Sequence, residues 1–212
     1  TDMKDHPKNL SVDDILVRSS NVGSVILARK VGVEKYNEFI KKTKLTNSPE
    51  IELEEIGRTH RLKWNKCKLE TISFGHGITT TPLQASALYA AMSNGGKLII
   101  PSLIKDRKIE KSKKLITEET SKKLSKILRK VVNSKNGTAS LADKDGYHVG
   151  GKTGTAESYG NTKNRINTFI SIFPTYIPNY SLFVMLENPK INRNLIYDYR
   201  GVKTKAPYNT SG

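Results

Sequence analysis

Gly150, Gly151, Lys152, Thr153, Gly154, Thr155, Ala156 and Glu157 constrain this chain more than any other stretch of it. They set an ammonium, a hydroxyl, a bare backbone position and a second hydroxyl side by side, and Tyr147, His148 and Val149 just before them predict an extended strand. A glycine lets another backbone approach such a strand closely, and a cation flanked by hydroxyls suits a carboxylate.

The same letters satisfy the phosphate-loop pattern G-x-x-x-x-G-K-[ST], with Gly146 as its first glycine. That loop needs a buried apolar strand before its first Gly and a helix opening at its Lys-Thr, whose N-terminus holds the phosphate. Residues 140–145 are instead polar and turn-like, and residues 158–165 read as a loop. Only residues 182–187, an apolar run ending in Glu187, favour nucleotide binding, by imitating a magnesium-site strand. Nucleotide binding through residues 146–153 stays as the lesser alternative.

With 212 residues, 36% of them hydrophobic and 26% charged, the chain is one globular domain's worth. No apolar run approaches the ~18 residues of a membrane span. The sequence opens at Thr1 without an initiator Met or a signal peptide, so a fragment is expected. Its net charge of +16 would attract anionic partners, but the lysines are scattered rather than striped, as on solvated helix faces. Single Cys67 excludes an internal disulfide and any multi-cysteine metal site, and no cofactor or metal is expected.

Along the chain, Ser11 and Asp14 predict a capping box opening a short helix through Ile15, Leu16 and Val17, which stops near Ser19. A second helix is expected from Val22 to the Gly32 stop, leaving Ser19 and Asn21 in the turn between, with both side chains free to enter a cleft. A third covers residues 33–42, and residues 43–70 read as loop, with Trp64 a packing anchor. Thr81 and Pro82 open a small-residue helix that ends at Gly95 and Gly96, and His76 before it is read as a turn residue. Thr117 caps a long amphipathic helix carrying Leu124, Ile127, Leu128, Val131 and Val132. Residues 166–173 and 180–186 then predict two strands which, with the strip, make three consecutive antiparallel strands. The tail from residue 189 onward shows no pattern.

Ser19-Ser20-Asn21, Gly75-His76-Gly77 with Thr81-Pro82-Leu83-Gln84, Gly137-Thr138-Ala139 and Lys152-Thr153-Gly154-Thr155-Ala156 follow one another in an order and rough spacing that resembles the transpeptidase domain of class B penicillin-binding proteins. The resemblance covers nearly the whole chain, and residues 72–84 with Trp64 look most like the septal, cell-division type. It implies an α+β fold of the penicillin-binding-protein and serine β-lactamase kind, an antiparallel sheet with a helical subdomain, incomplete at both ends, with residues 1–212 a single transpeptidase domain.

The implied activity is peptidoglycan D,D-transpeptidation. An activated serine attacks the D-Ala-D-Ala end of a stem peptide, forms an acyl-enzyme and passes the acyl group to an amine, and β-lactams mimic the donor. In that scheme Ser19 relays a proton toward the leaving amine and Asn21 holds a substrate amide and orients the catalytic lysine. Lys152 supplies charge for the terminal carboxylate and steadies the proton relay, while Thr153 and Thr155 donate hydroxyl hydrogen bonds to that carboxylate. Gly154 leaves room for substrate to lie along the strand edge, and the Thr155 N–H forms half of an oxyanion hole. The resemblance also implies a bacterial inner-membrane anchor outside these residues, a periplasmic location, and division-complex partners that include a glycan polymerase, with no nucleic acid. A non-catalytic β-lactam-binding or sensor relative is the other reading from the same family.

The sequence departs from the family in its nucleophile motif. S-x-x-K should precede Ser19, yet its only occurrence is Ser102-Leu103-Ile104-Lys105, which follows Pro101 among apolar, β-like residues and reads as structural. The nucleophile is therefore expected upstream of Thr1, and the chain by itself is expected to be inactive.

Overall fold

The computed structural model describes residues 2, 6–54, 62, 64–65, 67–107, 113–158, 161–190, 194, 196–199 and 201–205. Three helices follow in succession: α1 (Val12–Arg18), α2 (Asn21–Val31) and α3 (Val33–Thr43). The predicted box opens α1, for Ser11 Oγ both donates to the Asp14 carboxylate and accepts from the Asp14 amide. The second helix starts one residue earlier than expected. Ser20 rather than Asn21 is its cap, with Oγ accepting from the Gly23 amide at 2.9 Å, so Asn21 is the first helical residue.

Residues 43–70 were expected to be loop throughout, yet α4 (Lys68–Ser73) begins inside them. A six-residue helix is too short to show a period; it is held by burial of Leu69 and Ile72 and by a Glu70 ion pair with Arg29 of α2. Residues 55–61 lie outside the described residues. The Trp64 indole N–H donates to Asn37 of α3 at 2.9 Å. His76 is exposed in the turn after α4.

Helix α5 (Pro82–Ser93) has Thr81 as cap and Pro82 at its first position, and α6 (Glu118–Asn133) has Thr117 as cap, both as the sequence predicts. Gln84 Nε2 donates to the Lys44 carbonyl and Thr80 to the Leu45 carbonyl, tying the start of α5 to the end of α3.

Strands β1 (Gly150–Ser158), β2 (Asn161–Phe173) and β3 (Tyr180–Glu187) form one antiparallel sheet in that order. Lys152 lies opposite Ile170 and Phe169 opposite Val184. Two expectations need correction here. Residues 147–149 are not strand, since His148 has φ 49° and extension begins at Gly150. Of residues 158–165, read as loop, Ser158 ends β1 and residues 161–165 open β2, because cross-strand bonds hold these polar residues in the ladder without an apolar pattern; residues 159–160 lie outside the described residues. The tail is not featureless either: β4 (Ile196–Tyr199) and β5 (Val202–Lys205) pair through a tight turn at Gly201, whose φ is 79°.

The core lies between α1, α6 and the sheet. Val17 of α1 meets Ile127, Val131 and Val132 of α6 together with Ala139, and Phe169 of β2 packs against them. Close approach of α6 to β1 is possible because Gly150 has no side chain, as a Cβ there would sit 2.9 Å from the Arg129 amide nitrogen. No helix among the described residues is long and apolar enough to cross a membrane.

Candidate active site

The turn between α1 and α2 is tight and bonded from both ends. Ser19 takes the left-handed conformation (φ 59°, ψ 46°), which reverses the chain in a single residue at a conformational cost of about 1 kcal/mol or more. The Ser19 and Ser20 amides return to the carbonyls of Leu16 and Ile15 at 3.3 and 2.9 Å, which closes α1. Ser20 is buried while Ser19 beside it is exposed, so the turn is rooted at one hydroxyl and presents the other. Packing of α2 on α1 is equally close, because a Cβ on Gly23 would meet the Ile15 side chain at 2.6 Å.

Across from this turn lies β1. Lys152 extends its Nζ to Ser19 Oγ at 2.7 Å and to the Thr153 carbonyl at 3.0 Å. Residues separated by 133 positions therefore meet. Both acceptors are neutral, and no ion pair among the described residues includes Lys152. Burial of the ammonium without a compensating acid pushes its pKa down to about 8. The result is a half-buried cation whose charge no carboxylate among the described residues answers.

The other strip residues divide between the two sides of the strand. Thr153 points away from Lys152, and its Oγ1 lies 2.9 Å from Thr138 Oγ1, so that hydroxyl already has a partner. Gly154 leaves a space that Thr168 fills: a Cβ would lie 2.6 Å from Thr168 Oγ1. Thr155 is exposed. Asn21, half-buried, is the first residue of α2, two positions beyond Ser19.

Sequence reasoning missed one participant. The carboxylate of Asp2 sits at the start of α2, where Oδ1 accepts from the Asn21 and Val22 amides at 2.5 and 3.0 Å and Oδ2 accepts from Ser20 Oγ at 2.8 Å. An acid 18 positions before its partner in no recognisable motif leaves no local signal.

Two competing readings fail on geometry. The backbone continues as strand from Thr153 to Ser158, so the helix that a phosphate loop requires does not form. Ser102 lies outside any helix, just before a bend at residues 103–104, with Oγ donating to Glu52 at 2.6 Å and accepting from the Ile104 amide at 3.0 Å. Lys105 is in a turn, not one helical turn along from Ser102. The Ser102 hydroxyl and then the Leu103 amide hold the Glu52 carboxyl down to about 2.

The sequence profile of the penicillin binding protein transpeptidase domain matches residues 1–208. The chain belongs to that family. A probable peptidoglycan D,D-transpeptidase FtsI of Caulobacter vibrioides is 33% identical to this transpeptidase chain over 201 residues, 87% of the chain and 34% of the relative. Stage V sporulation protein D of Bacillus subtilis is 32% identical over 196 residues, 84% of the chain and 30% of the relative. The chain thus spans about a third of the length of the curated relatives it matches. The transpeptidase domain of penicillin-binding protein 3 from Burkholderia pseudomallei, at 24% identity, shares the fold with a TM-score of 0.76 over 85% of this chain and 57% of that one. The α+β architecture is therefore that of the family, with helices beside an antiparallel sheet.

Proposed function

We propose that this chain is part of a peptidoglycan D,D-transpeptidase of the septal type, which cross-links stem peptides ending in D-Ala-D-Ala and is acylated by β-lactams. The observation that carries this is the 2.7 Å contact of Lys152 with Ser19, made by a desolvated ammonium that no acid of the described chain neutralises. A donor peptide ends in a carboxylate, and its leaving group departs as an amine. Lys152 offers charge to the first, and Ser19, hydrogen-bonded to that lysine, is placed to pass a proton to the second.

Asn21 would orient the substrate amide. Thr155 is the strip hydroxyl free for the carboxylate, since Thr153 is bonded to Thr138. The nucleophile is expected in residues encoded before Thr1, with the inner-membrane anchor, the periplasmic placement and a glycan-polymerase partner belonging to the whole protein.

Fluorescent penicillin tests the proposal. Extended upstream to include an S-x-x-K serine, the protein should label covalently at that serine, while residues 1–212 alone should not label. Labelling at Ser102 would overturn the proposal, as would an extended protein that binds Mg-ATP through Lys152 and ignores β-lactams. Release of D-alanine from a stem-peptide donor separates a working enzyme from a β-lactam sensor.

A further inference from the structure

We propose that Asp2 is a positioning residue for the reaction, a carboxylate clamp that sets where Ser19 and Asn21 stand relative to Lys152. The inference rests on the transpeptidase reading for its catalytic consequence but not for its geometry. One side chain holds three successive residues: the hydroxyl of Ser20 on Oδ2, and the amides of Asn21 and Val22 on Oδ1. These are the last residue before α2 and the first two residues within it.

Ser20 Oγ already accepts from the Gly23 amide, so its proton is committed to Asp2 and its lone pair to the helix. Three amides of the first turn, at Asn21, Val22 and Gly23, are thereby satisfied by two side chains. The carboxylate also lies at the positive end of the helix, where an anion is favoured. His6 Nε2 stands 3.8 Å from Oδ2 on another side.

Ser20 already supplies the ordinary cap of this helix. What Asp2 adds is a tie from a distant part of the chain to the one turn whose exposed hydroxyl meets Lys152. Ser19 is in a left-handed conformation that a serine does not favour, so the turn needs restraint from both sides. Carbonyls of α1 hold it on one side, and Asp2 holds it on the other.

Asp2→Ala, Asp2→Asn and Asp2→Glu, made in the upstream-extended protein, test the clamp through the rate of acylation by fluorescent penicillin and the melting temperature. Asp2→Ala should slow acylation at least tenfold while most molecules remain folded at the assay temperature. Asp2→Asn keeps an oxygen for the two amides but has no acceptor for the Ser20 proton, and should slow acylation a fewfold. Asp2→Glu should recover part of the loss.

A loss of acylation no larger than the unfolded fraction in every variant would overturn the inference. Should the unsubstituted protein itself fail to acylate, the transpeptidase reading falls, and the clamp is judged in residues 1–212 by amide exchange. Protection at Asn21 and Val22 that drops at least tenfold in Asp2→Ala, with a moved Lys152 side-chain resonance, sustains the clamp; unchanged exchange and an unmoved resonance refute it.

Discussion

The two walls that meet at Ser19 and Lys152 are made differently. The helical wall is local: α1 and α2 are capped by Ser11 and Ser20, and the amides of Ser19 and Ser20 between them reach carbonyls three and five positions back. The sheet wall is not local. In the three-stranded sheet β1 pairs only with β2, and its height is fixed by α6, which touches it at Gly150. A wall built from caps should lose stability in small steps when they are removed, whereas a wall built from one close approach should fail abruptly when that approach is blocked.

The largest expected effect lies at the lysine. In the upstream-extended protein, Lys152→Ala should lower the acylation rate by on the order of 10²–10³, as when an electrostatic stabiliser is removed. Its melting temperature should hold or rise, because a desolvated charge is lost. A melting temperature that fell sharply would make Lys152 a structural member of the wall.

Next comes pH. With a folded pKa of about 8, below the ordinary 10.5, the ammonium is the form that folding disfavours. Stability from this group should therefore rise between about pH 8 and 10.5, where the unfolded chain still binds the proton. Affinity for a carboxylate-bearing donor should fall over the same range, roughly tenfold per unit above pH 8, as the charge disappears. A lysine labelled with ¹³C at Cε, followed by NMR, reads the titration directly, and a midpoint near 10.5 would deny the desolvation.

Overpacking tests the sheet wall. Gly150→Val would drive a side chain into the Thr175 methyl and the Arg129 amide nitrogen of α6, which a Cβ would meet at 2.5 and 2.9 Å, and should cost about 3 kcal/mol in denaturant titration. Cap removal tests the helical wall, where Ser11→Ala should cost about 1 kcal/mol. Equal losses would erase the distinction between the walls. Smallest of all is Ser102→Ala, which should free Glu52 to titrate nearer its ordinary range and leave acylation of the extended protein unchanged.

The same distinction explains what could be read from the sequence. Caps are written in neighbouring letters, and so Ser11, Thr81 and Thr117 announce their helices, while Gly32 marks the end of α2. Pattern also delivers the three-stranded order, since β2 and β3 are apolar runs around a Pro-containing turn. The start of β1 was misplaced because Tyr147, His148 and Val149 have strand-forming side chains, but a left-handed His148 turns the chain there. Helix α4 and the β4–β5 hairpin are too short for periodicity to register. In the site, Lys152 and Ser19 were legible as motif letters, and their contact is a property of the fold. Asp2 and the Thr138–Thr153 hydroxyl pair depend wholly on tertiary approach.

Helix α6 touches both walls. At one side Lys130 pairs with Asp13 of α1 at 2.8 Å and Val131 packs near Val17; at the other Arg129 donates to the Val149 carbonyl at 2.8 Å beside the glycine that seats β1. A single rod about 24 Å long thus acts as the gauge block of the cleft. Sliding or tilting it would shift the two walls as bodies and so change the Lys152–Ser19 spacing without any substitution in the site, so substitutions on its outer lysine-bearing face belong in any search for distant control of this site.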